Sequence, residues 1–290
     1  MKLTVATCQF PVAADIRKNL AFILRQMKSA RRRGAQVAHF SEACLSGYAG
    51  YDLDSFAGFD WDLLTRSTGQ VMALAKQLRL WVILGSTHRL TGRHKPHNSL
   101  YIISDRGQIV ERYDKMFCTG DRSGNTGDLK YYTPGNHFCI FSIKGLRCAV
   151  QLCHDFRYDE LCREHRRLGV DLIFYSYYNA RQNATQLRRY NIWRVIVPAT
   201  MQTYAANNHF WISAANSSGP VSSWAGFFVR PDGIITGRLK LNRPGVLISQ
   251  IDTVRKFYDP SGPWRDRAIR SVYHSGRLVR DPRSQQRKSL

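Results

Sequence analysis

Strand-like apolar runs and runs of helical spacing alternate along most of this chain, and that alternation confines it to the layered α/β folds. Residues 5–10 read as a buried strand. Ile16, Leu20, Ile23, Leu24, Met27 and Ala30 then recur at helical spacing until Gly34 stops the helix. A second helix is expected over about 62–77, before a strand at 81–86. Residues 98–113 read as a hairpin turning at Asp105-Arg106-Gly107, and 138–143 pairs with 148–152 around Lys144-Gly145. A helix at 157–167, a strand at 172–175 and one long helix at 184–206 follow, with strands at 210–215, 227–230 and 246–251. No repeat or low-complexity linker divides residues 1–260, which read as one domain. Residues 261–290 are polar and basic without clear periodicity, as in an arm or tail.

Three of the strand-like runs end on a reactive side chain. Glu42 follows 36–40, Lys115 follows 108–113 and Cys153 follows 146–152. A carboxylate, an amine and a thiol delivered by three strand ends are the inventory of a thiol-dependent amide hydrolase. The carboxylate takes a proton, the amine steadies developing negative charge, and the sulfur attacks. Taken singly, each has a plainer explanation. A cysteine is a small buried hydrophobe, and Glu or Lys is a surface charge. Their ordered delivery favours the chemistry.

The surrounding segments resemble the motifs of the nitrilase superfamily of carbon–nitrogen hydrolases, and the likeness covers most of the chain. Ala6-Thr7-Cys8-Gln9-Phe10 resembles the opening strand, with Asn19 in the helix that follows. Phe40-Ser41-Glu42 resembles the Glu motif, with Ser41 in place of the usual Pro. Asn98-Ser99-Leu100 through Tyr113-Asp114-Lys115 resembles the Lys motif, and Thr133-Pro134-Gly135-Asn136 the turn before the nucleophile strand. Cys153-His154-Asp155-Phe156-Arg157-Tyr158-Asp159-Glu160 resembles the nucleophile motif, with Asp159 where Pro is usual. Asn208 to Trp211, Ala215-Asn216-Ser217-Ser218-Gly219 and Pro231-Asp232-Gly233 are similar to the late strands and turn.

The resemblance implies a four-layer α-β-β-α sandwich, dimerised through a helical face, and an enzyme without a cofactor. It implies Cys153 as nucleophile, Glu42 as general base and Lys115 as the cation that holds Glu42 and the oxyanion, with the His154 backbone N–H as second oxyanion donor. Members of the family often carry a second Glu near the turn; the matching position holds Asp128, one methylene shorter, which either serves the site or caps the Gly124–Gly127 loop. Cys153-His154-Asp155 is similar to the amide and carbamoyl branch rather than the nitrile branch. Asp155 and Arg157 are expected to build the turn by hydrogen bonds and a salt bridge. Tyr48, Tyr51 and Asp52 follow the Glu motif, and Tyr177, Tyr178, Asn179 and Arg181 follow the strand after the nucleophile, where specificity loops belong. Arg181 either binds a substrate carboxylate as a fork or is one more solvent-facing arginine. Trp224 departs from the family's usual small residues and is expected to narrow or reshape the pocket.

Charge adds a further constraint. Lys and Arg number 43 against 21 Asp and Glu, a net charge of +22. That excess favours an anionic substrate or nonspecific affinity for polyanions. The basic residues are spread rather than interleaved with stacking aromatics, which argues against a dedicated nucleic-acid module. Seven scattered cysteines suit a reducing cytoplasm better than a disulfide framework. The first residues lack the pattern of a secretory signal, and no apolar run approaches the roughly 20 residues of a membrane span. Two rival readings remain at this level. Cys148, Cys153, His154, Cys162 and His165 cluster in sequence, but converge poorly as metal ligands. A noncatalytic member of the fold that binds a polyanion is the alternative to an enzyme.

Overall fold

The computed structural model describes residues 2–288; Met1, and Ser289 and Leu290 at the end of the expected arm, lie outside the described residues. Two six-stranded sheets form the framework. The first contains β1 (Lys2–Gln9), β2 (Val37–His39), β3 (Trp81–His88), β4 (His97–Ile103), β5 (Ile109–Asp114) and β12 (Gly245–Asp252), in the order β12-β1-β2-β3-β4-β5. The second contains β6 (Ile140–Ile143), β7 (Leu146–Leu152), β8 (Leu172–Ser176), β9 (Trp211–Ala215), β10 (Phe227–Val229) and β11 (Ile235–Arg238), in the order β11-β10-β9-β8-β7-β6. The central strands of each sheet are parallel and the flanking ones antiparallel. Parallel neighbours need a crossover, and helices supply it.

Those helices are α1 (Ile16–Arg32), α2 (Trp61–Leu78), α3 (Asp159–Arg167), α4 (Ala184–Arg189) and α5 (Ile192–Asn208), with α6 (Gly262–Ile269) and α7 (Pro282–Gln285) near the end. Three hydrophobic layers result. Ile23, Met27 and Val71 pack with Ala38, Val82 and Leu84 on the outer face of the first sheet. Val5, Val37, Ile83, Val150, Leu172 and Phe174 fill the space between the sheets. Ile173, Tyr175, Val197 and Met201 meet on the outer face of the second sheet. Each Val, Leu, Ile, Met or Phe among them contributes about 1.5–3 kcal/mol on burial. The period of two sorts neighbours: Val37 points between the sheets and Ala38 toward the helices. This is the four-layer α-β-β-α sandwich.

Local signals explain the element ends and the departures from expectation. Asp15 caps α1 by accepting from the Arg17 and Lys18 N–H groups at 2.9 and 3.2 Å. The long helix expected over 184–206 is two helices, because Asn191 caps α5 by accepting from the Arg194 N–H at 3.1 Å. A short 3-10 turn, Cys153–Arg157, precedes α3, which starts two residues later than expected. Strand β11 was not anticipated; it pairs with β10 after the Pro231-Asp232-Gly233 turn and keeps every second residue exposed. Helix α6 lies in the stretch read as an arm. Its Arg265 is buried, donates to the Asn207 carbonyl at 2.7 Å and pairs with Asp259.

Candidate active site

Glu42, Lys115 and Cys153 stand just past the ends of β2, β5 and β7, where parallel and mixed sheets present their loops. Close backbone packing fixes the first two. A Cβ on Gly85 of β3 would fall 2.1 Å from the Ser41 carbonyl, so only glycine lets that strand meet the Glu42 segment. Gly135 does the same for Asp114, and its N–H donates to the Lys115 carbonyl at 2.8 Å. Asn19 holds the loop beyond Glu42 by donating to the Leu45 carbonyl at 3.2 Å.

Lys115 is buried and uses all three ammonium protons. They go to Glu42 Oε1 at 2.8 Å, Asp128 Oδ2 at 2.7 Å and Tyr48 Oη at 3.1 Å. Tyr48 in turn donates to Asp128 Oδ1 at 2.7 Å, and the Thr119 N–H reaches Oδ2 at 3.0 Å. Asp128 thus stands inside the cluster, on the 3-10 turn Gly127–Lys130, rather than capping the loop before it. Burial alone would raise its carboxyl; the Lys115 charge and these hydrogen bonds hold it below the ordinary range. Burial raises the Glu42 carboxyl in spite of Lys115. Lys115 is raised well above its usual value because its two carboxylates outweigh desolvation, so it stays an ammonium.

Glu42 is held on one side only. Oε1 accepts from Lys115 and from Asn98 Nδ2, each at 2.8 Å. Oε2 is buried without a partner among the described residues. Asn98 also accepts the Lys115 N–H at its carbonyl, 2.9 Å away, and so ties both residues together. Sequence reasoning placed Asn98 in a motif but gave it no role. The polar start of β4, His97-Asn98-Ser99, with Asn98 and Ser99 buried, carried no local mark of that contact.

Cys153 is half-buried with φ at +38°, a left-handed conformation that costs a non-glycine residue on the order of 1–3 kcal/mol. Asp155 holds that bend, accepting from the Leu152 N–H at 3.1 Å, the Phe117 N–H at 2.8 Å and the Tyr113 hydroxyl at 2.7 Å. Arg157 makes no salt bridge among the described residues, contrary to expectation. Its guanidinium instead lies 4.9 Å from the Phe156 ring and 4.6 Å from the Trp193 ring. Burial, reinforced by the Glu42 charge, pushes the Cys153 thiol well above its usual value, and Lys115 opposes this only in part. Cys153 therefore rests as a thiol.

A cleft of about 140 Å³ opens over Cys153 and His154, walled by Tyr51, Phe156, Tyr177, Tyr178, Trp193 and Trp224. Thr119, Asn179 and Gln182 add polar groups beside His154 and the tyrosine hydroxyls, and no Lys, Arg, Asp or Glu lines it among the described residues. His154 is held neutral by burial and by the neighbouring Lys115 charge. Arg181, expected either at a substrate carboxylate or in solvent, donates from Nε to Asp52 Oδ1 at 2.8 Å. The Tyr178 hydroxyl reaches the same oxygen at 2.9 Å. Asn179 is partly committed, accepting from the Ser223 N–H at 2.9 Å. Trp224 packs edge-on against Tyr177, 4.8 Å between ring centres. The cysteines and histidines that cluster in sequence are dispersed: Cys148 faces the layer between the sheets and Cys162 the layer under the helices. Among the described residues no group of three His, Cys, Asp or Glu is placed to hold a metal ion. No helix in that range is long and apolar enough to cross a membrane.

Comparison with known proteins agrees with this geometry. The profile of the family described as carbon-nitrogen hydrolase matches residues 4–257. A protein named hydrolase in agr operon from Staphylococcus lugdunensis is 27% identical over 230 residues, 77% of this chain and 86% of the relative. A 2-oxoglutaramate amidase from Bacillus subtilis (strain 168) is 25% identical over 235 residues, 78% of this chain and 81% of the relative. An amidase from Nesterenkonia sp. superposes with a TM-score of 0.75 at 19% identity, covering 93% of this chain and 95% of that one. A double mutant of the Nesterenkonia sp. AN1 amidase in complex with acrylamide gives a TM-score of 0.73 at 18% identity, covering 87% and 91%. With the family profile spanning nearly the whole sandwich, this chain belongs to the carbon–nitrogen hydrolases of the nitrilase superfamily, enzymes that act on non-peptide C–N bonds.

Proposed function

We propose that this chain is an amidase that hydrolyses a small, uncharged linear amide or N-carbamoyl compound through a thioester on Cys153. The observation that carries the reading is the asymmetry of Glu42. One oxygen is fixed by Lys115 and Asn98, and the other is buried and unpartnered in the same cluster that shifts the Cys153 thiol.

The steps follow from that arrangement. Glu42 takes the thiol proton as sulfur attacks the amide carbon. The tetrahedral oxyanion is met by the His154 backbone N–H and by the Lys115 charge. Lys115 has no spare proton at rest, so its contact with Tyr48, the longest of the three, is the one the oxyanion replaces. Glu42 returns its proton to the departing nitrogen, ammonia or an amine leaves, and a thioester remains. Water then attacks with Glu42 again as base, and the carboxylic acid departs as the thiol re-forms.

The acyl side is set by the cleft. The relatives include an enzyme named for 2-oxoglutaramate, an amide that bears a carboxylate. Here the walls are aromatic, Arg181 is engaged by Asp52, and the buried cluster sets two carboxyls against one ammonium. The exposed Arg188, Arg189 and Arg194 on α4 and α5 give the surface a positive character. Salt screens such charges over about 8–10 Å, whereas a carboxylate left without a facing cation in an aromatic cleft is penalised at contact. The walls win. The anionic substrate suggested by net charge thus gives way to a neutral one.

Ammonia release from butyramide-sized neutral amides, N-carbamoyl amines and carboxylate-bearing ω-amides tests this reading. Neutral substrates are expected to lead by at least about tenfold in kcat/KM, the effect of roughly 1.4 kcal/mol. Faster turnover of the anionic amides would overturn the neutral-substrate part. The proposed assembly is a homodimer, and the proposed setting is the cytoplasm, where the seven unpaired cysteines would stay reduced.

A further inference from the structure

His39 is fully buried on the inner side of β2, three residues before Glu42, and its ring joins the two sheets. Nδ1 lies 2.8 Å from Ser213 Oγ on β9, and Nε2 lies 2.9 Å from Ser176 Oγ on β8. Phe174 of β8 packs edge-on against the imidazole, 5.1 Å between ring centres. Ser213 Oγ is also 2.8 Å from Thr7 Oγ1 on β1, and Ser176 Oγ donates to the Phe40 carbonyl at 2.8 Å.

Counting protons orients the whole set. Ser176 has one hydroxyl proton and gives it to Phe40, so it must accept from His39 Nε2. Burial keeps the imidazole neutral, with its pKa lowered to about 3. Nδ1 therefore accepts from Ser213, and Ser213 accepts from Thr7. A one-way chain results: Thr7 to Ser213, to His39, to Ser176, to the Phe40 carbonyl.

The chain ends where the two reactive residues meet. Phe40 is two residues before Glu42. Ser176 precedes Tyr177, whose carbonyl accepts the Glu42 N–H at 3.2 Å, and the Cys153 thiol lies against the Tyr178 backbone. The base comes from the first sheet and the nucleophile from the second. Apolar contact between sheets is non-directional and does not fix their offset; directed hydrogen bonds do.

We propose that His39 is a positioning residue, a neutral stitch between the sheets that sets Glu42 against Cys153. The proposal rests on the reading of Cys153 as nucleophile and Glu42 as base. Displacements near 1 Å in such pairs cost on the order of a hundredfold in rate.

The test compares His39→Leu, His39→Gln, Ser176→Ala and Thr7→Val. Readouts are thermal melting, kcat and KM on a neutral amide, and the rate at which iodoacetamide alkylates Cys153, which needs no amide turnover. His39→Leu and Ser176→Ala are expected to lower kcat and the alkylation rate by about tenfold to a hundredfold, with KM within about threefold. His39→Gln can still donate to Ser176 and should recover most of both rates. Thr7→Val, at the far end, should lower the melting temperature only. Wild-type kcat and alkylation in folded His39→Leu would overturn the proposal, as would equal losses in Thr7→Val and Ser176→Ala. Should His39→Leu fail to fold, the comparison of Ser176→Ala with Thr7→Val decides alone. His39-dependent alkylation in a chain that releases no ammonia would support the stitch and sink the amidase reading.

Discussion

Asp128 touches Lys115 directly, Oδ2 to Nζ at 2.7 Å, although its side chain is one methylene shorter than the glutamate usual in the family. The 3-10 turn makes up the difference, because the Asp128 N–H is itself anchored to Thr119 Oγ1 at 3.0 Å. The loop, rather than a bridging water, carries the carboxylate to the amine.

Lengthening that side chain should therefore harm the enzyme. Asp128→Glu is expected to overpack the turn at a cost of about 1–3 kcal/mol and to lower kcat. Asp128→Asn removes one of the two charges that hold Lys115 and should reduce kcat by about a hundredfold or more. Steady-state kinetics with parallel melting curves check both, and a faster Asp128→Glu enzyme would contradict the geometry.

As the proposed base, Glu42 sets the expected pH profile. Burial raises its carboxyl above the ordinary range, and a base must be ionised to act, so kcat/KM should climb as pH rises through that raised value. The Cys153 thiol titrates far higher and adds no second acid limb. Glu42→Gln should lose at least about a hundredfold at the plateau.

Asp155 links stability to pH. Burial raises its carboxyl from 3.8 to about 6, against the hydrogen bonds it accepts. Between those values the folded chain binds a proton that the unfolded chain does not. The associated stability is fully present below pH 3.8 and is lost as pH rises through about 6, in total about 3 kcal/mol. Asp155→Asn should lack this component, which denaturant titrations of the two proteins at pH 4 and pH 7 would isolate. Equal pH dependence in both would refute it.

Trp224 and Arg181 separate size from charge. Trp224→Ser should open the cleft and improve larger neutral amides relative to small ones by about tenfold, roughly the worth of two buried methylenes. Arg181→Ala should leave kcat/KM on neutral amides within about threefold, since the guanidinium is spent on Asp52. A selective loss on carboxylate-bearing amides would mean that Arg181 meets the substrate.

The layered fold and the three strand ends were legible because each is a local pattern of a few residues. Features made by distant pairs were not. His39 meets Ser213 across 174 positions, and nothing near either residue announces the other. Asn98 was visible, but its hold on Glu42 spans 56 positions. Arg157 was expected in a salt bridge because its motif is polar, yet tertiary packing offered Phe156 and Trp193 instead. The expectation of an anionic substrate came from a whole-chain charge, whereas the proposal of a neutral one rests on the residues around one cleft. The break between α4 and α5 was the opposite case, a cap signal at Asn191 present in the sequence and outweighed by apolar spacing on both sides.

Turnover is proposed to pass through a thioester on Cys153. Mixing the enzyme with a neutral amide, quenching in acid and weighing the Cys153 peptide tests it most directly. This peptide is expected to gain the mass of the acyl group, and folded Cys153→Ala to show neither adduct nor ammonia release. Full turnover by Cys153→Ala, or an acyl group found on another residue, would contradict it.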